Sequence, residues 1–456
     1  MNRNDDDALR TTKINRRNLI KTSAAVGAGA LAGSKFAATK AAPGATGGLR
    51  RYSRQGGGEI TFAAQKDDID KVQPLLDEYS QKNNVKITTA PNIYADLYAK
   101  MNINLTQATG AYDVVSMDDP WMPLFAGGEF LANLGEMLDK KGVKADEDFL
   151  PQLLALGEYP QDSGLRGIPW VGNVQTFAWR TDVLDEMGKE VPKTWDEVLT
   201  LATAVTDAKG SAGLYGIGLR GKAGNPAATS FLPVLRGFGK DLLDPTTSEP
   251  QLETPEAMAA IDLHLKLKDQ APPGVENVGH PENGIHLYSG KIAMSGDIWP
   301  DQLLQAFDPK LSKVIGKIEV GPEPAQSGVK PADMTGNWLL GIPEGAKNSD
   351  AALDFILWFT AAEQQKRLLM DQNIPATRLS VLQDPEAVDK FPFLPGLLNA
   401  AKQALPRPRT PFYSALEEIY GRWVAEAIAG QTSGEDAMKN ANKEMRDLLV
   451  REDVLK

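Results

Sequence analysis

Four tryptophans stand beside acidic or amide side chains at points where short apolar runs of the sequence end. The aromatic residues are Trp121, Trp170, Trp299 and Trp338, and the polar residues near them are Asp118, Asp119, Asn173, Asp297 and Asn337. Flat rings cover the C–H faces of a sugar, whereas planar amides and carboxylates bond pairs of adjacent hydroxyls. The pattern predicts a carbohydrate site, to which Gln65 contributes from the end of the first apolar run.

The same residues also have ordinary structural interpretations. Any tryptophan can be a core residue, and helical spacing assigns Trp195, Trp358 and Trp423 to the core. Asp118 and Asp119 are good turn or cap residues before a proline, and Asp297 can cap a helix. The sequence does not decide which of Asp118 and Asp119 contacts a ligand.

Catalysis has little support in these residues. Neighbouring carboxylates on one strand, such as Asp118 and Asp119, point to opposite sides, whereas the two acids of a glycosidase face each other across a cleft. The chain has three histidines and no cysteine, and it lacks the short motifs of serine hydrolases and zinc proteases. We therefore expect no enzyme, no catalytic residue, no metal and no cofactor.

A glycine-rich stretch at 216–223 resembles a nucleotide-binding loop. It matches G-x-G-x-x-G and nearly matches a P-loop, but Ala223 has no hydroxyl for magnesium. The glycines also fall inside a predicted strand, which a loop through Pro226 follows, so the strand–loop–helix context is missing. We interpret the stretch as a strand and turn.

The elements that must position the site alternate between strands and helices. Strands are predicted at Glu59–Ala63, Val85–Thr89 and Tyr112–Met117, with helices at Ile69–Gln81 and Tyr94–Thr109 between them. This order predicts an α/β fold with a parallel sheet covered by helices on both faces. Ligands bind beyond the carboxyl ends of such strands, where Gln65, Asp118, Asp119 and Trp121 lie.

A second block follows from about residue 170. Strands are predicted at Thr176–Arg180, Tyr215–Leu219, Lys291–Met294 and Asn337–Pro343, and helices at Asp350–Phe359, Ala415–Ala429 and Ser433–Val450. A further helix is predicted after Thr194, because Glu197 three residues later completes a capping box.

The amino terminus has the layout of an export signal. Arg16 and Arg17 precede a weakly apolar stretch rich in alanine and glycine, and small residues follow it. We interpret residues 1–43 as a twin-arginine signal peptide and residues 44–58 as a flexible leader, with the periplasm as destination. The alternative, a membrane anchor, needs about 20 strongly apolar residues, which this stretch lacks.

Composition narrows the set of partners. The formal charge is −11 for the whole chain. It becomes more negative once the basic signal, with eight Lys/Arg and three Asp, is removed. A surface with this much negative charge repels phosphate backbones and anionic lipids. We therefore expect no nucleic-acid partner and no insertion into a membrane. Without cysteine no disulfide or lipid anchor on an N-terminal cysteine can form, and stability must come from core packing.

The order of several motifs resembles the extracellular solute-binding proteins of sugar ABC transporters, the family that includes maltose-binding protein. The motifs are Tyr112–Val115 leading into Asp118–Trp121, Gly167–Trp170, Phe177–Asp182, Pro192–Glu197, Gly290–Trp299, Arg407–Tyr413 and Gly430–Ser433. Two features depart from many relatives: the twin-arginine signal and the missing lipid-anchor cysteine. The second suggests a periplasm bounded by an outer membrane.

The resemblance implies a type II periplasmic-binding-protein fold of two α/β lobes with the ligand clamped between them. The first lobe is expected to contain 59–170 plus 300–360, and the second 171–299 plus 361–456. Arg378 joins the expected ligand residues because the family commonly contacts its ligand at this loop. The expected partners are a sugar, thought to be an oligosaccharide, and the permease subunits of an importer, with the protein acting as a monomer.

Two other functions remain open at this point. One is an exported carbohydrate-active enzyme, either a hydrolase or lyase or a nicotinamide-dependent oxidoreductase. The glycine-rich loop that the oxidoreductase needs after its first strand is missing, since Gln65 is followed by Lys66, Asp67 and Asp68. The other is the same binding fold with a polyamine ligand, because carboxylates and aromatic rings together suit cations.

Overall fold

The computed structural model describes residues 58–144 and 147–456. The predicted signal at 1–43 lies outside these residues. The predicted leader at 44–58 also lies outside them, except for its last residue, Gly58, which begins the first strand.

Ten strands form the sheets of the described chain. They are β1 (Gly58–Gln65), β2 (Val85–Asn92), β3 (Val114–Asp118), β4 (Ile168–Val171), β5 (Val174–Arg180), β6 (Tyr215–Ile217), β7 (Ile292–Ile298), β8 (Ile318–Gly321), β9 (Met334–Thr335) and β10 (Trp338–Gly341).

Eighteen α-helices are found in the described residues. They are α1 (Lys66–Asn83), α2 (Tyr94–Thr106), α3 (Met122–Gly127), α4 (Leu134–Lys141), α5 (Pro151–Ala155), α6 (Thr181–Met187), α7 (Trp195–Lys209), α8 (Asn225–Gly237), α9 (Pro255–Lys268), α10 (His280–Tyr288), α11 (Pro300–Ala306), α12 (Ser349–Phe359), α13 (Ala362–Gln372), α14 (Leu379–Leu382), α15 (Pro385–Lys390), α16 (Leu394–Ala401), α17 (Tyr413–Ile428) and α18 (Gly434–Arg451). Within the described ranges, no helix is both long and apolar enough to cross a membrane.

The first sheet has the strand order β2–β1–β3–β10–β4. β1 pairs in parallel with β2 and with β3, and β10 runs antiparallel to β3 and β4. β3 is buried along its whole length, as expected for a strand covered on both faces. The three parallel strands confirm the alternation predicted for the start of the fold, and their carboxyl ends share one edge.

The second sheet has the order β6–β7–β5–β8, and β9 pairs with the start of β5. The helix α7 that covers it begins with the predicted capping box. The Thr194 hydroxyl accepts a hydrogen bond from the Glu197 amide at 3.2 Å, and the Glu197 carboxylate accepts one from the Thr194 amide at 3.1 Å. Such a cap contributes about 1 kcal/mol to helix stability.

The glycine-rich stretch differs from its prediction in one respect. The strand ends at Ile217, and the residues around Pro226 are not a loop, because α8 begins at Asn225 with the proline in its first turn. Proline is favoured there because the first helical amides have no intrahelical partner. A Cβ on Gly221 would lie 2.6 Å from the Val275 carbonyl oxygen, so this backbone is packed too closely to cradle a phosphate.

The chain crosses between the two sheets at three segments that lie side by side. We call residues 171–174, 333–338 and 404–407 the crossover segments. The Gly336 amide donates to the Asn173 carbonyl at 2.9 Å, and the Leu405 amide donates to the Asp333 carbonyl at 2.8 Å. All three segments are therefore tied together by backbone hydrogen bonds.

Two parts of the predicted lobe division differ from the sheets and cores. Residues 300–360 were assigned to the first lobe, but β8 pairs with β5 in the second sheet. Residues from 361 onward were assigned to the second lobe, but α13 contributes the buried Leu368 and packs against α1 and α12 of the first lobe. Of the later helices, α16 packs against β5 and β8 of the second sheet, and α17 and α18 join the core formed with α7, α8 and α9.

Candidate functional site

The carboxyl end of β3 brings two acids next to the start of β10. In the antiparallel register Asp118 lies opposite Trp338. The Asp119 amide donates to the Asn337 carbonyl at 2.9 Å, and the Asn337 amide donates to the Asp119 carboxylate at 3.0 Å. Four of the predicted site residues thus lie together at the crossover between the sheets.

Arg407 enters this group from the third crossover segment. Its Nη2 lies 2.5 Å from an oxygen of Asp118 and 3.4 Å from an oxygen of Asp119. Its Nη1 lies 3.9 Å from Glu417, a residue of α17. Because Asp118 belongs to the first sheet and Glu417 to a helix of the second core, the guanidinium connects the two lobes.

Glu417 is held by two further side chains of the second lobe. The Tyr413 hydroxyl donates to its Oε1 at 3.0 Å, and the Asn225 amide donates to the same oxygen at 3.1 Å. Arg407 is about 2 % exposed and Glu417 about 7 %. We call the place where Asp118, Asp119 and Arg407 meet Glu417 the junction. Its ion pairs are almost completely removed from solvent.

Burial dominates the electrostatics of this group. It raises the pKa of Asp118 against the opposing effect of Arg407, and it also raises the pKa of Glu417. Burial disfavours the charge of Arg407 as well, but the nearby acids outweigh it and hold the pKa of Arg407 well above its usual value. The guanidinium therefore stays charged, and its charge is neutralised mainly by the aspartates.

An aromatic cluster lines the first-lobe side of the junction. The rings of Trp121 and Trp338 are 5.5 Å apart with their planes at 79°, and Tyr94 lies 5.1 Å from Trp121. The ring centre of Tyr98 also lies 5.2 Å from that of Trp121. The Tyr94 hydroxyl donates to Asp118 at 2.8 Å, so the aromatic and ionic groups form one unit.

Trp299 covers the second crossover segment from the second lobe. A Cβ on Gly336 would lie 2.3 Å from the Trp299 ring, so the indole packs directly on the glycine backbone. The Arg220 guanidinium lies 6.0 Å from the centre of the same ring. Any larger residue at position 336 would displace the indole.

Several buried polar atoms at the junction have no hydrogen-bond partner among the described residues. They are both side-chain atoms of Asn337, the Asn173 carbonyl oxygen Oδ1, the Trp299 Nε1 and the Arg407 Nε. A buried polar group without a partner costs about 1–3 kcal/mol. Donors and acceptors of this kind are suited to the hydroxyls of a bound solute.

Trp170 lies elsewhere, in the core of the first lobe. Its indole is fully buried, with ring centres 5.4 Å from Phe359 and 6.5 Å from Phe62. Its Nε1 donates to the Ser116 hydroxyl at 2.9 Å. Both the ring and the donor are therefore occupied, which disagrees with the predicted ligand contact.

Asp297 also has internal partners. Its two carboxylate oxygens accept hydrogen bonds from Arg220 at 2.5 and 2.6 Å, and Gln175 donates to one of them at 2.7 Å. This pair is buried inside the second lobe, so the carboxylate is engaged in holding Arg220 rather than facing the junction.

Arg378 and Gln65 are not brought into contact with the Asp118 group. The Arg378 guanidinium lies 4.2 Å from the Phe149 ring centre, 3.7 Å from Asp148, and donates to the Thr360 carbonyl. It joins separate segments of the first lobe. Gln65 is half-buried at the end of β1, next to Asn92 of β2.

Three residues of the junction were not predicted as site residues. Arg407 lies in a motif that the sequence resemblance used only as a marker, and Glu417 lies on a helix interpreted by its apolar spacing. Tyr94 begins the helix after β2, so it could have been found by the rule that selected Gln65. In residues 58–144 and 147–456, no group of three or more His, Asp or Glu side chains could hold a metal ion.

The sequence matches a family model along most of its length. Residues 63–366 match the model described as bacterial extracellular solute-binding protein, and residues 13–33 match the twin-arginine translocation pathway signal sequence. The chain therefore belongs to the bacterial extracellular solute-binding protein family. Its signal and family indicate export to the periplasm, and the family consists of binding proteins rather than enzymes, as predicted.

Individual relatives are distant but cover the chain well. The probable amino-acid ABC transporter periplasmic-binding protein y4oP of Sinorhizobium fredii is 26% identical over 70% of this chain and 72% of its own length. A ribitol complex of an ABC transporter solute-binding protein from Agrobacterium radiobacter K84 superposes with a TM-score of 0.79 at 26% identity, covering 86% of this chain and 99% of that one.

Maltose-bound MalE3 of T. maritima gives a TM-score of 0.76 at 26% identity, covering 86% of this chain and 100% of that one. These superpositions confirm the predicted two-lobed α/β binding-protein fold.

Proposed function

We propose that the chain is the substrate-binding component of an ABC importer that captures a neutral sugar or polyol between its lobes. The observation that carries the proposal is a set of buried polar atoms without hydrogen-bond partners among the described residues. They belong to Asn337, Trp299 and Arg407 and lie beside the aromatic cluster. Hydroxyls pair with such atoms, while C–H groups cover the rings. Closure over the ligand then presents both lobes to permease subunits, with the protein acting as a monomer.

The charge of the junction supports a neutral ligand. Asp118 and Asp119 are already paired with Arg407, and Glu417 accepts hydrogen bonds from Tyr413 and Asn225, so each of these carboxylates already has partners. A polyamine would need carboxylates that are free to pair with it. The similarity to a ribitol complex and to a maltose complex also supports a polyhydroxy ligand.

The enclosure of the junction supports a small ligand. Asp118, Trp121, Trp299 and Trp338 are each at most 6% exposed, and the three crossover segments close the site on one side. The sequence suggested an oligosaccharide. A ligand of one sugar ring or one linear polyol requires less separation of the lobes, and we propose this size class.

The proposed ligand residues combine the predicted and the newly found members of the junction. They are Tyr94, Asp118, Asp119, Trp121, Asn173, Trp299, Asn337, Trp338 and Arg407. Trp170, Asp297 and Arg378 are proposed to support the lobes from inside. Gln65 is proposed as a peripheral contact at the neighbouring strand end.

A thermal-shift screen of the chain from residue 44 tests the proposal. The panel contains linear polyols, monosaccharides, di- and trisaccharides, polyamines and amino acids. A ligand at 100 times its Kd stabilises the folded state by about 2.7 kcal/mol, so a polyol or monosaccharide should raise the melting temperature measurably. Stabilisation only by longer sugars would contradict the size class, and stabilisation only by amino acids or polyamines would contradict the proposed function.

We expect Asn337→Ala to weaken binding of that ligand by about 10- to 100-fold, because it removes two polar atoms of the site. The melting temperature of the free protein should stay the same or rise, since both atoms lack partners without ligand. Isothermal titration calorimetry gives the Kd. Trp170→Phe serves as control and should lower the melting temperature without changing the Kd; equal Kd values for all three proteins would refute the assignment of Asn337.

A further inference from the structure

Two acids form a buried pair beside the second crossover segment. Glu323 follows β8, and Asp333 directly precedes β9. Their side chains are at most 1% exposed. The Glu323 amide donates to one oxygen of Asp333 at 3.0 Å, which brings the two residues together from opposite ends of one loop.

The remaining three carboxylate oxygens of this pair have no hydrogen-bond partner among the described residues. One oxygen of Glu323 lies 2.6 Å from the position of a Cβ on Gly296, and the Trp195 ring approaches the same position at 2.6 Å. The acids are thus enclosed by a glycine backbone and an indole rather than by donors.

The charged group that faces the pair is another acid. Asp297 of β7 acts on Glu323 with the same sign of charge, and its own charge is paired with Arg220. In the part of the chain that the structure describes, no lysine or arginine forms an ion pair with Glu323 or Asp333. The pair has no compensating cation there.

Two neighbouring carboxylates that are buried away from water can both be ionised only at a large cost in free energy. Burial raises the pKa of Asp333 to about 7, and burial together with Asp333 and Asp297 raises the pKa of Glu323 well above its usual value. Proton uptake is the simplest way to remove the charge.

We propose that Glu323 and Asp333 form a proton-binding site that makes the stability of the crossover segments depend on pH. Asp333 is part of those segments, since its carbonyl accepts the Leu405 amide and the next-but-one residue, Thr335, donates back to Leu405 at 3.0 Å. Deprotonation places two negative charges beside the backbone hydrogen bonds that join residues 333–335 to Leu405, and it weakens these hydrogen bonds. Neither acid is among the proposed ligand residues, so this proposal can be tested independently of the proposed ligand.

The direction of the effect follows from linkage. The folded state holds these protons more tightly than the unfolded state, whose acids titrate near their ordinary values. The contribution of this pair to stability is therefore greatest in mild acid, and it is lost as the pH rises from about 4 to about 7 and above.

The test compares melting temperatures of the ligand-free protein and the Glu323→Gln/Asp333→Asn variant from pH 5 to pH 8.5. The variant keeps a side-chain oxygen at position 333 that can accept the hydrogen bond of the residue-323 amide, and it removes both titratable carboxyl groups. It should melt roughly 5 °C higher than the parent at pH 8 and close to the parent at pH 5. Asp185→Asn/Glu190→Gln removes two exposed acids of the same lobe and should follow the parent throughout.

Two direct measurements complete the test. Infrared spectroscopy at pH 7 should show a protonated-carboxyl band in the parent that the double variant lacks. Hydrogen exchange of residues 333–337 and 404–407, corrected for its intrinsic pH dependence, should speed up with pH only in the parent. Parallel melting profiles with no difference in the infrared band would overturn the proposal. Stabilisation of the parent alone by added sodium, potassium or calcium at constant ionic strength would overturn it in favour of a cation site.

Discussion

We expect Arg407→Met to lower the free energy of unfolding by about 3–5 kcal/mol at pH 7.5, the usual cost of removing one partner from a buried ion pair. The substitution keeps an unbranched chain out to about the position of Nε but removes the guanidinium, which leaves Asp118, Asp119 and Glu417 buried without their cation. Urea denaturation followed by tryptophan fluorescence measures the change. Ligand affinity should fall as well, because Arg407 lies in the proposed site.

The control for this experiment is Arg422→Met. Arg422 forms ion pairs with Glu426 and Glu444, but its side chain is 37% exposed, so the loss should be at most about 1 kcal/mol. Adding Asp118→Asn and Glu417→Gln to Arg407→Met should restore part of the lost stability, since fewer charges then remain unpaired. Equal losses for Arg407→Met and Arg422→Met would show that the buried group is unimportant for stability.

The second large effect concerns His264 in mild acid. This histidine of α9 is fully buried, and both ring nitrogens lack a partner among the described residues. Burial lowers its pKa to about 4. The unfolded state therefore binds a proton that the folded state excludes, and stability falls as the pH drops from about 6.5 to about 4, by about 3 kcal/mol in total.

His264→Leu should remove this loss. The variant should match or exceed the parent at pH 7, because it replaces two unpaired polar atoms by an apolar group, and its advantage should grow towards pH 4.5. Denaturation free energies across this range provide the measurement. His286→Gln, at a half-buried position, should change the slope far less, and parallel profiles for parent and His264→Leu would contradict the prediction.

The two kinds of buried titrating group act in opposite directions. His264 destabilises the protein as the pH falls, whereas the Glu323–Asp333 pair destabilises it as the pH rises. In the parent the two effects partly cancel between about pH 4 and pH 7. The pH dependence of each effect is therefore steepest in the variant that removes the other, which makes the two sets of variants checks on each other.

Local patterns predicted the elements of this fold well. The first three strands and their helices were found because short strand-type runs alternate there with segments of helical apolar spacing. The capping box at Thr194 was found because it needs only residues three apart, and the structure contains both of its hydrogen bonds. Such features depend on neighbours in sequence, which the sequence shows directly.

Long-range partners were not predictable in the same way. Trp170 and Trp299 each follow or end a strand, but Trp170 is covered by Phe359 from a helix far along the chain, whereas Trp299 packs on Gly336 at the crossover. Asp118 and Arg407 are 289 residues apart, and Asp297 and Arg220 are 77 apart. Nothing local distinguishes an acid with such a partner from one without.

Two parts of the predicted lobe division differ from the structure for a related reason. A four-residue strand such as β8 carries no sign of which sheet it joins, and only its pairing with β5, Ala178 opposite Val320, assigns it. The helices α13 and α16 are both amphipathic, yet α13 packs in the first lobe and α16 packs on the second sheet. Their place is decided by which apolar surface remains uncovered after the strands have paired.

The position of β10 has a consequence for the order in which the protein forms. β10 lies between β3 and β4, so the middle of the first sheet is supplied by residues 338–341. A ribosome-bound chain that ends before this point holds two separate pieces of sheet with open edges. The second lobe likewise waits for α17 and α18 at the very end. Contacts across such long separations are slow to form. Assembly of both lobes is thus a late event that takes place on an essentially complete polypeptide.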